Sequence, residues 1–308
     1  MRIQAGVSAL FRDHLAAKGF IEIHSPKLIA GSSEGGANVF TLDYFGTPAC
    51  LAQSPQLYKQ MAICADFERV FEVGPVFRAE KSNTHRHLTE FVGLDIEMAI
   101  EETYFEVMRA LDHMFVAIFD GLKNKYALDL ETVNRQYPYA PIQYKPAGQN
   151  LILPFSEGVR MLREAGHTLG DYDDLNTELE RALGKLVKDK YQTDFFILNE
   201  FPSTIRPFYT MPSPKNPLYS NSFDVFIRGE EIVSGAQRIH IPDMLIERAK
   251  VCGLDVNTIK DYVDSFRYGA PPHGGAGVGL ERVVMLYLAL PNVREACLFP
   301  RDPKRLTP

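Results

Sequence analysis

Apolar residues at Ile3, Val7, Leu10, Phe11 and Leu15 recur with a helical period. They predict an amphipathic helix over residues 3–18, closed by Gly19. A short strand at 20–23 follows and is stopped by Pro26. The run Gly31-Ser32-Ser33-Glu34-Gly35-Gly36-Ala37-Asn38 has no apolar period and reads as a mobile loop. Extended segments are predicted at 39–44 and 48–52 around a Gly46-Thr47 turn, then a helix at 56–65. Val107, Leu111, Met114, Phe115, Ile118 and Leu122 share one face of a long helix over 103–126.

Residues 137–154 are rich in Pro, Gly, Tyr and Gln and are expected to run over the surface. Helices are predicted at 156–165, with Ser156 as N-cap, and at 173–190. Short strands are expected at 195–198, 208–211, 222–228 and 231–240, and helices at 242–252 and 257–268. Strands with interspersed helices, lacking regular βαβ alternation, predict an α+β fold on a mainly antiparallel sheet. The stretch of about 137–205 reads as a helical insertion into one domain spanning residues 1–308.

Composition changes this picture little. The chain has 308 residues, 45% hydrophobic and 23% charged, enough for a sizeable core. Cys50, Cys64, Cys252 and Cys297 form no CxxC or Cys/His ligand set and are expected to be reduced thiols. A formal charge of −6 gives no global basic footprint for nucleic acid. No apolar run is long enough for a bilayer and no signal pattern opens the chain, so a cytoplasmic, membrane-free protein is expected.

The chemistry concentrates at residues 70–98. Two extended runs flank the polar turn Lys81-Ser82-Asn83-Thr84-His85-Arg86-His87-Leu88-Thr89. Strand parity puts Arg78 and Glu80 on one side, and Phe91, Asp95 and Glu97 on one side. Arg suits a phosphate, Phe a base face and a carboxylate an amine. A solvated, ion-paired hairpin would carry the same pattern.

Three motifs in order weigh against that reading. Phe77-Arg78-Ala79-Glu80, a loop and a strand opening with Phe91 resemble motif 2 of the class II aminoacyl-tRNA synthetases. The helix ending at Lys18, with Gly19 to Pro26 after it, resembles motif 1. Gly275-Ala276-Gly277-Val278-Gly279-Leu280-Glu281-Arg282 resembles motif 3. The likeness runs from about residue 3 to Pro308. Three further segments resemble the amino-acid-recognition segments of aspartyl-tRNA synthetases of the archaeal and eukaryotic cytosolic type. They are Ser33-Glu34-Gly35-Gly36, Ser54-Pro55-Gln56-Leu57-Tyr58-Lys59-Gln60 and Ser234-Gly235-Ala236-Gln237-Arg238.

The resemblance implies the class II core, ATP and L-aspartate as substrates, Mg2+, and tRNA-Asp as acceptor. It implies that Arg78 and Arg282 are catalytic. ATP would meet Arg78, Ala79, Glu80, Arg86, His87, Leu88, Phe91, Glu231, Gly279, Leu280, Glu281 and Arg282, with Gly277 allowing close approach. Aspartate would meet Glu34, Gln56, Leu57, Tyr58, Lys59, Arg78, Asp95, Ser234 and Arg238, with His273 nearby. Lys59 and Arg238 are expected as paired cations on its side-chain carboxylate. Related asparaginyl enzymes carry an apolar residue at the Lys59 position, so Lys59→Leu is expected to relax that preference. Glu231 and Ser234, with Asp224, would hold the metal, and their opposite parity demands a bulge between them. The loop carrying Glu34 is expected to close over aspartate on Gly31, Gly35 and Gly36. Motif 1 implies a homodimer with Pro26 at its interface. Full-length enzymes of this type begin with an OB-fold anticodon-binding domain, which this chain is expected to lack, as either an excised catalytic domain or a stand-alone paralogue. An ammonia-dependent asparagine synthetase using the same adenylate is therefore the alternative.

Overall fold

A computed structural model describes residues 1–31 and 38–308, so Glu34, Gly35 and Gly36 lie outside the described residues. In chain order the elements are α1 (Arg2–Ala17), β1 (Ile21–Glu22), β2 (Leu28–Ile29), β3 (Thr41–Tyr44), β4 (Thr47–Leu51), α2 (Gln56–Cys64), β5 (Arg69–Phe77) and β6 (Glu90–Ala99). Then come α3 (Phe105–Lys125), α4 (Ala127–Gln136), β7 (Leu151–Pro154), α5 (Phe155–Glu164), α6 (Thr177–Tyr191) and β8 (Phe195–Asn199). The chain continues with β9 (Ser222–Ile227), β10 (Glu230–Gln237), α7 (Pro242–Val251), α8 (Lys260–Phe266), β11 (His273–Gly279) and α9 (Leu280–Tyr287).

Eight strands form one sheet in the order β1-β5-β6-β11-β10-β9-β8-β7. Only the outer pairs, β1 with β5 and β7 with β8, are parallel. Alternation along the strands divides the sheet into two faces. Leu94, Ile96 and Met98 of β6, Ala276 and Val278 of β11, and Phe223 and Val225 of β9 point into the main core against α1, α3 and α9. On the opposite face, Phe196, Leu198 and Phe226 pack under α5 and α6. The rest of that face, over β6, β11 and β10, carries polar and small residues and is left open by those helices. A third cluster from α7, α8 and the residues around Phe208 and Tyr209 closes one end of this opening.

Several local expectations are corrected. The 39–52 hairpin turns at Phe45-Gly46, both at positive φ (51° and 82°), the pair a tight I′ turn requires. It joins β2 in a separate three-stranded sheet. Ser156 does not cap α5: Pro154 is the extended residue before it, and Phe155 enters the helix with its ring buried. The 173–190 helix begins at Thr177, where the Asn176 side chain accepts from Leu179 N. No strand forms at 208–211, because Thr210 N turns back to Pro207 O at 3.0 Å and only Thr210 bridges to Arg238. Helix α4 falls between the predicted helix at 103–126 and the surface stretch at 137–154, where no element is expected.

Candidate active site

The open face of the sheet holds a cleft of about 410 Å³. Its floor is set by strand register. Asp95 on β6 pairs with Gly277 on β11, Gly277 with Ser234 on β10, and Ser234 with Asp224 on β9. The row two residues along β6 starts from Glu97, opposite Gly275. β10 reaches this arrangement by slipping register between Glu231 and Val233. The bulge turns Glu231 and Ser234 onto the same side despite their parity, and both line the cleft.

Five arginines line the cleft (Arg78, Arg86, Arg206, Arg238 and Arg282), together with four carboxylates (Glu80, Asp95, Glu231 and Glu281). Gln56, His87, Leu88, Phe91, Ser234, Gly277 and Gly279 also line it. The Arg78 guanidinium carbon stands 5.6 Å from the Phe91 ring centre. Arg282 donates to Glu231 O at 3.0 Å and to Arg86 O at 3.4 Å. Burial, only partly offset by Glu231, leaves its guanidinium less firmly protonated than usual.

Beneath the floor lies a buried quartet of charges. Lys59 Nζ spends its three donors on Asp95 Oδ1 (3.0 Å), Ile96 O (3.2 Å) and Ala276 O (3.2 Å), and lies 3.4 Å from Glu97 Oε2. Arg238 donates through Nε to Glu97 Oε1 at 3.0 Å and through Nη2 to Glu97 Oε2 at 3.4 Å. Burial alone would push the Glu97 carboxyl up, but Arg238 and then Lys59 hold it below the usual range. The two expected cations are thus adjacent, joined by Glu97. They differ in reach: Arg238 lines the cleft, and Lys59 lies under it, neutralised by Asp95 and Glu97.

Gly275 makes this packing possible. A Cβ there would stand 2.1 Å from Glu97 Oε2 and 2.2 Å from Ile96 O. Gly275→Ala should therefore split the Glu97–Arg238 pair and destabilise the fold by about 1–3 kcal/mol, measured by denaturant unfolding. At Gly279 a Cβ would meet only Arg282 Cβ, at 3.7 Å, so the protein itself does not demand a glycine there.

The remaining expected residues fall elsewhere. Leu57 packs in the α7–α8 cluster and Tyr58 against Ile29, Cys50 and Ala52. Ala79 N donates to Asn38 O, and Leu280 is a core residue. Asp224 is buried, with both oxygens taken by Arg206. His273 does not line the cleft. It is fully buried behind Glu97, with Nδ1 at 2.8 Å from Pro271 O and Nε2 at 3.3 Å from Gln60 Oε1. A carbonyl only accepts, so Nδ1 carries the proton. Turning the Gln60 amide over would then give its otherwise orphaned Nε2 to the ring.

Glu281, expected at ATP, lines the cleft while its carboxylate is bonded to the protein. It accepts from Val92 N at 3.1 and 3.3 Å and from Gln4 Nε2 at 3.4 Å. Burial pushes its carboxyl up to about 7, against the pull of these backbone donors. A folded pKa above the unfolded one means that its stabilising contribution is complete below about pH 4.5 and lost as pH rises through about 7. Glu281→Gln, which keeps an acceptor for Val92 N, should accordingly be more stable than the wild type by roughly 1–3 kcal/mol at pH 8. Melting curves across pH should show the difference closing toward pH 5.

Residues that sequence reasoning missed are Glu180 and Arg206. Parity places Glu97 beside Asp95 but gives it no role. Glu180 on α6 pairs with Arg86 at 2.5 Å, tying the loop between β5 and β6 to the helical segment. The same loop is held by Arg294, which reaches Asn83 Oδ1 at 2.7 Å and Thr84 O at 3.0 Å. Thr89 N donates to Arg301 O at 2.9 Å, adding a further tie to the C-terminal stretch.

A sheet-floored cleft combining a polyanion-binding set of arginines, an aromatic face and a buried mixed-charge quartet is the geometry expected of class II synthetases. Residues 1–303 match the family described as "tRNA synthetases class II (D, K and N)", and the chain belongs to that family. It is 62% identical over 307 residues to aspartate–tRNA ligase 1, cytoplasmic, of Arabidopsis thaliana, covering 100% of this chain and 57% of the relative. The aspartyl tRNA synthetase from Entamoeba histolytica superposes with a TM-score of 0.91 at 52% identity, covering 100% of this chain and 59% of that one. Asparaginyl-tRNA synthetase from Pyrococcus horikoshii, solved with asparaginyl-adenylate, superposes with a TM-score of 0.93 but at 32% identity, covering 100% of this chain and 69% of that one. The chain spans less than two-thirds of the aspartate-specific relatives.

Proposed function

We propose that this chain carries the catalytic domain of an aspartate–tRNA ligase. It would activate L-aspartate with ATP and pass the aspartyl group to the 3′ end of tRNA-Asp. The observation that carries the reading is Arg238. Glu97 occupies its Nε and Nη2, while Nη1 has no acceptor among the described residues, and the side chain lines the cleft. A carboxylate satisfies that donor. The amide nitrogen of asparagine would meet it with donors only, leaving a buried N–H without an acceptor at a cost of about 1–3 kcal/mol. Asp95, on the same stretch of floor, offers charge to the substrate ammonium.

In the first step the α-carboxylate attacks the α-phosphorus in line, and pyrophosphate leaves. Positioning and charge neutralisation dominate such a transfer. Arg78 would neutralise the α-phosphate and the attacking carboxylate, with Arg86 and Arg282 along the triphosphate and Phe91 under adenine. Hard oxygen donors suit magnesium: Glu231, Ser234 and Asp224 offer two carboxylates and a hydroxyl, and the Arg206 guanidinium already sits on three of these oxygens. Among the described residues no cluster of three or more His, Cys, Asp or Glu forms a cage, which suits an ion held largely by phosphates. When bound, magnesium would neutralise phosphate charge. For the second step, no side chain of the cleft among the described residues is an evident base for the ribose hydroxyl.

The exposed apolar residues Ile21 and Leu28 on either side of Pro26 support a homodimer through this region, to be checked by sedimentation. No helix among the described residues is long and apolar enough to cross a membrane, and the Arabidopsis relative is named cytoplasmic; we place this protein in the same compartment. Nothing in the site favours the ammonia-dependent alternative. ATP–pyrophosphate exchange tests the reading. Aspartate should support exchange, and asparagine and lysine should not. Exchange with none of the three would sink the proposal, and asparagine formation from ammonia without tRNA would replace it.

A further inference from the structure

Arg206 follows a single 3-10 turn (Ser203–Ile205) and precedes Pro207 on the rim of the cleft. Its guanidinium spans β9 and β10. Nη1 donates to Asp224 Oδ1 at 3.0 Å and to Ser234 Oγ at 2.8 Å, and Nη2 to Asp224 Oδ2 at 2.8 Å. Its guanidinium carbon lies 3.9 Å from the Phe201 ring centre. The side chains of Arg206 and Asp224 are each 9% exposed, so this is a largely dry pair. Nε is buried with no acceptor among the described residues, so the grip rests on the two terminal nitrogens.

These oxygens belong to two of the three residues to which the metal is assigned. Asp224 also lies near Glu231, and two carboxylates in a poorly solvated corner repel unless a cation stands between them. A divalent ion on Ser234 Oγ and Asp224 would need the positions that the guanidinium fills. We propose that Arg206 is a resident stand-in for the divalent cation. It holds Asp224 and Ser234 in the nucleotide-free protein and yields them as the metal enters with the triphosphate. A metal ion arriving alone must break charge-assisted hydrogen bonds and leave a guanidinium unpaired in the cleft. A metal ion arriving on a triphosphate brings the anion to which that guanidinium can turn. Metal affinity is thereby coupled to the nucleotide.

The inference rests on the metal assignment above, and its test separates the two. Mn2+ binding to the full chain without nucleotide is followed by the paramagnetic resonance of the free ion. Arg206→Met should tighten Mn2+ on the order of tenfold, because the ion no longer competes with a charge-assisted pair. Arg206→Lys, a point charge unable to grip both Asp224 oxygens, should fall between the methionine variant and the wild type. Folding of each variant is verified by melting. Wild-type Mn2+ affinity in a folded Arg206→Met protein overturns the exchange; should that variant not fold, wild-type affinity in Arg206→Lys does so. Glu231→Gln, measured with a non-hydrolysable ATP analogue present, tests the metal assignment independently, since unchanged Mn2+ affinity there removes the site itself.

Discussion

Replacing Lys59 with leucine should destabilise the protein by about 3–5 kcal/mol, a larger effect than the change of preference expected from the sequence alone. The reason is the saturation of its ammonium. Lys59 is 1% exposed and donates to Asp95, Ile96 O and Ala276 O, with Glu97 at 3.4 Å. Leucine would leave Asp95 and Glu97 near each other in a dry floor with Arg238 as the nearest compensating charge. It would also take the Nζ donor away from two backbone carbonyls of the central strands. Glu97 should then bind a proton or draw Arg238 downward, and the cleft would lose the Nη1 donor. The measurement pairs denaturant unfolding with aspartate binding. A variant as stable as the wild type that merely accepts asparagine would show that Lys59 acts on the substrate directly and not through the two carboxylates.

Arg78→Ala should lower aspartate-dependent ATP–pyrophosphate exchange by roughly 10³-fold or more while leaving the melting temperature nearly unchanged. Arg78 stands just beyond β5, half-buried, with its guanidinium toward Phe91 in the cleft and outside every core cluster. On the proposed mechanism its loss removes charge from the place where the α-phosphate would be neutralised, so kcat should fall further than KM rises. Arg78→Lys should recover little, because a point charge cannot make the two parallel hydrogen bonds of a guanidinium. Near-normal exchange in the alanine variant would move the assignment to Arg86 or Arg282.

The course of the chain through its motifs was readable from parity and small residues. Opposite parity at Glu231 and Ser234 required a bulge, and the ladder slips there. Alternate glycines at Gly275, Gly277 and Gly279 run along the open face of β11, where the row pairing leaves space above the floor. The burial of Lys59 was not readable. A lysine three residues after Gln56 on a helix carries no mark of carboxylates 36 and 38 residues later, until β6 is laid against α2. Arg206 was further out of reach, because its meaning depends on 18- and 28-residue separations across an irregular stretch. The expected 208–211 strand failed for a related reason: its residues have extended-chain chemistry, but Pro207 seeds a turn that Thr210 closes. Local pattern predicts elements; charge partners come from register.

The loop between β5 and β6 has a consequence for how the protein is made. Residues 83 and 84 are fastened by Arg294, 211 and 210 positions later, and Thr89 by Arg301. Contacts so distant along the polypeptide close late and slowly. During synthesis residues 83–89 must therefore emerge and wait, without these partners, until Arg294 and Arg301 have followed them out.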